Sequence, residues 1–152
     1  MTKKLAIIYH SQSGNTRQLA AAVATGANCE KGIEIRLLRA MEASSKDLLW
    51  ADGVIFGSPE NLGYLSGGLK DFFDRSFYPT QAHQLNIPYA FFISAGNDGS
   101  GAARQIQVIA KGYPLKLIAE PLIMQGEASV DMLSQCKELG QAMAAGLVLG
   151  IF

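Results

Sequence analysis

Short unbroken apolar runs alternate along this chain with longer amphipathic stretches. Leu5-Ala6-Ile7-Ile8-Tyr9 is such a run, the pattern of a strand covered on both faces. Thr16 to Gly26 then carries Leu19, Val23 and several alanines on one side, a helix whose small residues permit close packing and for which Gly26 is the stop. Ile33, Ile35 and Leu37 alternate with Glu34 and Arg36, the period-two pattern of an edge strand with one wetter face. Ser44-Ser45 caps a short helical turn through Leu48, Leu49 and Trp50. Gly53-Val54-Ile55-Phe56-Gly57 is a second continuous apolar run and reads as a central parallel strand.

Ser58 to Leu65 reads as the loop leaving that strand, and Ser66 as the cap of a helix with Leu69, Phe72 and Phe73 at helical spacing that Pro79 ends. Tyr89 to Ile93 forms the next strand, with Pro88 at its start. A glycine-rich loop, Ser94 to Gly101, opens a helix that buries Ile106 and Ile109. Leu115 to Ile118 begins a fifth strand, which Pro121 interrupts and Leu122-Ile123-Met124 resumes; Ser129 caps a last helix through Met132, Leu133, Cys136, Leu139 and Met143. The apolar tail from Gly146 to Phe152 is too short to span a bilayer and reads as a packed helix end or a dimer contact. Five βα repeats joined by right-handed crossovers predict an α/β fold, a doubly wound five-stranded parallel sheet, formed as one domain over residues 1–152. Such sheets take their ligands at the C-terminal strand ends, where the loops after the first, third and fourth strands converge.

Charge and cysteine usage remove several function classes. Lys+Arg and Asp+Glu both number 13, so no broad basic field exists to attract nucleic acid or an anionic membrane. Cys29 and Cys136 match neither a CxxC pair nor a metal-ligand spacing and read as small buried thiols of a cytoplasmic, reduced protein. His10 and His83 are the only histidines, which argues against a histidine-built metal site. No catalytic acid or nucleophile stands out.

The chemistry is concentrated after the first strand, in His10-Ser11-Gln12-Ser13-Gly14-Asn15-Thr16. The first backbone N–H groups of a helix lack intrahelical partners and lie at the positive end of its dipole. Ser11, Ser13 and Thr16 add hydroxyl donors, and Gly14 lets the backbone curl around an anion. Neither the lysine of a nucleoside-triphosphate loop nor a GxGxxG fingerprint is present, which leaves a seat for one phosphate monoester. The same stretch also reads as an ordinary helix start with Asn15 or Ser13 as N-cap.

Ser11 to Thr16 resembles the Ser/Thr-x-Ser/Thr-Gly-x-Thr phosphate loop of the flavodoxin-like family. Gly57 to Arg75 is similar to the Gly-Ser-Pro-Thr-Tyr-Phe-Gly-x-Met-Ser-Gly-x-Leu-Lys-x-Phe-x-Asp-Arg stretch of flavodoxin-like NAD(P)H oxidoreductases, and Ser94-Ala95-Gly96 and Ala119 to Glu127 look like that family as well. The resemblance implies the strand order 2-1-3-4-5 and an FMN whose phosphate lies on Ser11, Ser13, Gly14, Asn15 and Thr16. The ring would lie between Pro59, Glu60, Asn61, Leu62, Gly63 and Tyr64 on one side and Ala95, Gly96, Asn97, Gly99 and Gly101 on the other. It implies an oxidoreductase that takes hydride from NADPH or NADH and passes electrons to a quinone, a flavin or a similar small-molecule acceptor. The alternative is a non-enzymatic carrier docking to a redox protein; such carriers are usually acidic, whereas this chain is neutral. Family reductases often complete the site across a dimer interface, which leaves a homo-oligomer open.

Glu60 and Asn61 depart from the family, where threonine and an aromatic or arginine are usual, so Tyr64 is the candidate ring cover. A Glu60 carboxylate beside the ring would disfavour a negatively charged reduced flavin; a solvated Glu60 would not. Trp50 precedes the third strand and is expected at the opposite end of the sheet, in the core. His10 is expected to point outward, Asp98 to form a turn, and Lys70, Asp71, Asp74 and Arg75 to make a solvated helix face.

Overall fold

The first apolar run becomes β1 (Lys3–Tyr9), hydrogen-bonded along both edges: to β2 (Ile33–Arg39) on one side and to β3 (Gly53–Asn61) on the other. The computed structural model covers residues 1–152. Between the strands lie α1 (Asn15–Ala27) and α2 (Ser45–Trp50); β4 (Tyr64–Leu65), α3 (Gly67–Gln81), β5 (Pro88–Ala95) and α4 (Ser100–Gly112) follow. The chain ends with β6 (Lys116–Leu117), β7 (Leu122–Gln125) and α5 (Val130–Leu149). The sheet runs β2-β1-β3-β5-β6, with β7 also on β5 and every one of these pairings parallel. This is the expected order, with the fifth strand in two pieces. Lys116–Leu117 pairs with the start of β5 and Leu122–Gln125 with its end. Pro121, which has no N–H to give a ladder, stands at the break.

Alternation along the central strands divides the core between the two sheet faces. Leu5, Ile7, Tyr9, Ile55 and Phe92 pack with Leu19, Val23, Cys136, Met143 and Leu147 beneath α1 and α5. Ala6, Ile8, Phe56, Tyr89 and Phe91 pack with Leu69, Phe72, Phe73, Ile106 and Tyr113 beneath α3 and α4. The second face is aromatic: Phe56 meets Phe73 edge-on at 4.9 Å, and the Tyr113 hydroxyl donates to the Phe73 carbonyl at 2.6 Å. The first is built on small residues. A Cβ at Gly140 would overlap the Val23 carbonyl oxygen and one at Gly26 the Lys137 carbonyl, so glycine is what allows α1 and α5 to touch backbone to backbone.

Three sequence expectations are corrected. Ser58 to Leu65 is not a plain loop: β3 continues to Asn61 and turns back through Leu62-Gly63 into β4, pairing Glu60 with Leu65 and Asn61 with Tyr64. Both turn residues have positive φ, 53° and 74°, as a two-residue type I′ hairpin requires. Pro59 and the flanking polar residues hide the strand, which is an antiparallel extension beyond the parallel sheet. Pro79 does not end α3, which runs to Gln81. In the last turn one missing donor costs little, and the Thr80 hydroxyl donates to the carbonyls of Ser76 and Phe77 at 2.8 and 3.1 Å. Only one thiol is buried: Cys29 is exposed, while Cys136 lies in the core, where burial pushes its pKa up to about 12.

The tail packs back on its own helix. Gly150 ends α5 in the left-handed conformation, and the Phe152 ring covers Gly146. No helix is long and apolar enough to cross a membrane.

Candidate functional site

At the C-terminal end of β1 the chain turns sharply into α1 with Gly14, at φ 98°, as the N-cap. Neither Asn15 nor Ser13 caps the helix, contrary to the simple helix-start reading. Ser11 takes that place from farther back: its hydroxyl oxygen accepts from the N–H of Gly14 at 3.1 Å and of Arg17 at 3.2 Å. The N–H groups of Ser13, Asn15 and Thr16 find no acceptor in the protein. Thr16 is only 2% exposed, and its hydroxyl is likewise without a partner. A helix start with open N–H groups and an unpaired hydroxyl at the one accessible edge of an otherwise buried threonine suits a compact dianion such as a phosphate monoester.

Asn15 behaves differently from its neighbours, because its side chain is fully committed. Nδ2 donates to Ser94 Oγ at 2.7 Å and to the Gly126 carbonyl at 3.1 Å, while Oδ1 accepts from the Ala128 N–H at 2.8 Å. It thus fixes the loop after β1 to the end of β5 and to the turn after β7.

The opposite lip is the β3–β4 hairpin. Glu60 is neither solvated nor a bare charge facing the cleft. Oε1 accepts from the Gly99 N–H at 2.9 Å and Oε2 from the Ala102 N–H at 3.1 Å, so the carboxylate caps the start of α4 and is opposed by the positive end of its dipole. Gly101 lets the two elements meet, since a Cβ there would overlap the Gly63 carbonyl oxygen. A weaker link crosses the mouth, from Asn61 Nδ2 to Gln12 Oε1 at 3.3 Å.

Between the lips lies a cleft of ≈ 740 Å³, within the range usual for small-molecule and cofactor sites. Ser13 and Asn15 wall one side, Pro59, Glu60 and Asn61 the other, and Ala95 and Gly96 the floor beyond β5. The cleft sits at the carboxyl ends of β1, β3 and β5, where the strand order reverses.

Residues 39–113 match the family model for NADPH-dependent FMN reductase. Over 71 residues the chain is 46% identical to a flavodoxin of Aquifex aeolicus (strain VF5), an alignment covering 47% of this chain and 38% of that protein. It is 30% identical over 123 residues to quinone-oxidoreductase QR2 of Triphysaria versicolor, covering 66% of this chain and 60% of that one. A flavodoxin from the domain Archaea superposes with a TM-score of 0.82 at 20% identity, covering 95% of this chain and 99% of that chain. The fold is that of the flavodoxins. The chain spans only 38% to 60% of the lengths of the two sequence relatives.

In this flavodoxin-like frame seven expected residues line the cleft: Ser13, Asn15, Pro59, Glu60, Asn61, Ala95 and Gly96. Ser11 and Gly14 lie on the far side of the same loop, and Thr16 is buried under it. Leu62, Gly63 and Tyr64 form the hairpin tip, with Leu62 fully exposed and Tyr64 38% exposed. Asn97 is exposed, Gly99 is packed under Ile123 and Ala95, and Gly101 supports the hairpin; these six are not among the lining residues. Gln18, Ser94, Gly126, Glu127 and Ala128 also line the cleft. Ser94, Gly126 and Glu127 fall in stretches that carry the family resemblance and Ala128 follows them, whereas nothing in the sequence pointed to Gln18 on α1.

The remaining sequence expectations also find places. Trp50 is half-buried away from the cleft, with the Arg36 guanidinium 3.9 Å from its ring centre. His10 does not point freely outward: its ring lies against Gly68, where a Cβ would overlap it. Lys70–Asp74 and Arg75–Asp71 pair along α3 at 2.7 Å. Arg75 also donates to the Ala40 and Ala43 carbonyls, so it is a tie to the loop before α2 rather than part of a solvated face.

Proposed function

We propose that the cleft holds FMN and that the protein is an NAD(P)H-dependent FMN oxidoreductase, delivering electrons to a quinone, a free flavin or a similar acceptor. The observation that carries this reading is the set of unpaired donors around Thr16, opening beside a cleft between two glycine-containing lips. The donors fit the phosphate of FMN: the N–H groups of Ser13, Asn15 and Thr16 and the Thr16 hydroxyl lack protein acceptors. The floor fits a flat heterocycle, with nothing within 4 Å of where a Cβ would stand at Gly96 or Gly126.

When bound, FMN supplies the hydride and electron chemistry of the site. The chain's own work is binding and placement. The β1–α1 loop anchors the phosphate, Glu60 fixes the hairpin against α4, and Asn15 holds the loop after β5 in register with the phosphate seat. The family match to NADPH-dependent FMN reductase and the likeness to a quinone oxidoreductase support a reductase. The identity to a flavodoxin over 71 residues supports the carrier alternative.

Anaerobic titration of the FMN-loaded protein with NADPH and with NADH separates the two. Stoichiometric bleaching of the flavin absorbance by either nucleotide is expected. If neither nucleotide bleaches it while dithionite does, the reductase reading fails and the carrier reading stands.

A further inference from the structure

One residue belongs to both halves of the cleft. The backbone N–H of Asn15 is among the open donors at the start of α1, while its side chain is bonded across to the strand ends beyond. Nδ2 donates to Ser94 Oγ at 2.7 Å and to the Gly126 carbonyl at 3.1 Å, and Oδ1 accepts from the Ala128 N–H at 2.8 Å. The Gly126 N–H donates in turn to the Ala95 carbonyl at 2.9 Å. These bonds close a circuit from the helix start to the end of β5, across to the turn after β7, and back. Ser94, Ala95, Gly126 and Ala128, its other members, all line the cleft. The hairpin lip stands outside the circuit. Glu60 fixes it to α4, and its one side-chain hydrogen bond to the β1–α1 loop is the Asn61–Gln12 contact at 3.3 Å.

The consequence is a shared ordering cost. Helix starts and turns open more readily than the core of a fold, and ordering them for a ligand costs free energy. An anion on the N–H groups of Ser13, Asn15 and Thr16 fixes the first turn of α1, and with it the Asn15 side chain and the strand ends that the side chain holds. A flat ring laid on the floor at Ala95 and Gly96 fixes the same circuit from its other end. The ligand that binds second meets groups already ordered by the first, so each tightens the other, by the same factor in both directions.

We infer that Asn15 couples the anion seat to the ring floor, so that inorganic phosphate and riboflavin, the two parts of FMN, bind with positive cooperativity. This rests on the FMN reading of the cleft, but it is tested by binding, without hydride transfer. Quenching of riboflavin fluorescence by the full chain, freed of flavin, gives the riboflavin Kd in saturating inorganic phosphate and in potassium chloride of equal ionic strength. Phosphate should lower that Kd roughly 5- to 100-fold, the usual range of coupling between two sites. Asn15→Ala removes the side-chain bonds and keeps the backbone N–H, and the ratio of the two Kd values should fall to within about a factor of two of unity. Ser94→Ala deletes a single bond of the circuit; it should reduce the ratio several-fold, and it carries the test if Asn15→Ala does not fold. Gln12→Ala should leave the ratio unchanged.

A purely structural Asn15 weakens riboflavin by the same factor with and without phosphate, which leaves the ratio intact and overturns the coupling. A ratio that survives in both Asn15→Ala and Ser94→Ala reports direct contact between the two ligands and overturns it as well, as does a ratio lost in Gln12→Ala instead. If phosphate and riboflavin bind independently while FMN binds tightly, the FMN reading stands and the coupling falls. If neither riboflavin nor FMN binds at any phosphate concentration, the FMN reading itself falls. If the coupling holds but neither NADPH nor NADH bleaches bound FMN, the reductase reading alone fails.

Discussion

On the β1–α1 side of the cleft the N–H groups of Ser13, Asn15 and Thr16 have no acceptor, whereas on the β3–β4 side the Glu60 carboxylate accepts two N–H groups of α4. The first lip leaves its donors open; the second satisfies its polar groups internally. An open donor set at a helix start is completed by water or by an anion, and in the proposed reading it is where the phosphate of the ligand is held. A closed set marks what must keep its shape while a ligand comes and goes. Substitutions in the two lips should therefore separate: in the open lip they change ligand affinity, in the closed lip the stability of the fold.

The largest stability effect is expected at Asn15, which belongs to both sides. Asn15→Ala strands the Ala128 N–H and two partners of the amide, and should lower unfolding free energy by about 2 kcal/mol, read as a lower urea midpoint. Glu60→Gln keeps one acceptor oxygen but removes the charge facing the α4 dipole; a loss of about 1 kcal/mol is expected, with FMN and riboflavin affinities falling by equal factors if at all. A selective loss of FMN in this variant would erase the distinction between the lips. Smallest is Leu62→Asn. Leu62 has φ 53° and is fully exposed, so asparagine, which tolerates that conformation, should raise stability by about 0.5 kcal/mol in thermal unfolding.

The sheet order and both core faces were legible in the sequence because the buried parallel strands are uninterrupted apolar runs, Leu5 to Tyr9 and Gly53 to Phe56, and the helices between them carry clear apolar stripes. The turn into α1 was legible because Ser11 to Thr16 is a hydroxyl-rich stretch with one glycine between an apolar run and an alanine-rich one. The hairpin was not, because Glu60-Asn61 and Tyr64-Leu65 pair outside the main sheet and Leu62 occupies a turn position that sequence preference gives to asparagine or glycine. The roles of Glu60 and Asn15 were equally hidden. Each depends on partners 39 to 113 residues away, Gly99 for one and Ala128 for the other, and a side chain's choice between binding a ligand and binding its own backbone leaves no local trace.

The proposed phosphate seat is tested most directly at Thr16, a buried residue whose hydroxyl has no partner in the protein. Thr16→Val keeps the shape and removes the donor, and the dissociation constants of FMN and riboflavin can be compared by flavin fluorescence. The FMN constant should rise roughly 10- to 100-fold, the scale of one hydrogen bond to a charged group, while that of riboflavin stays within a factor of two. An equal loss for both flavins, or no loss for either, would contradict the assignment of the open lip as the phosphate anchor.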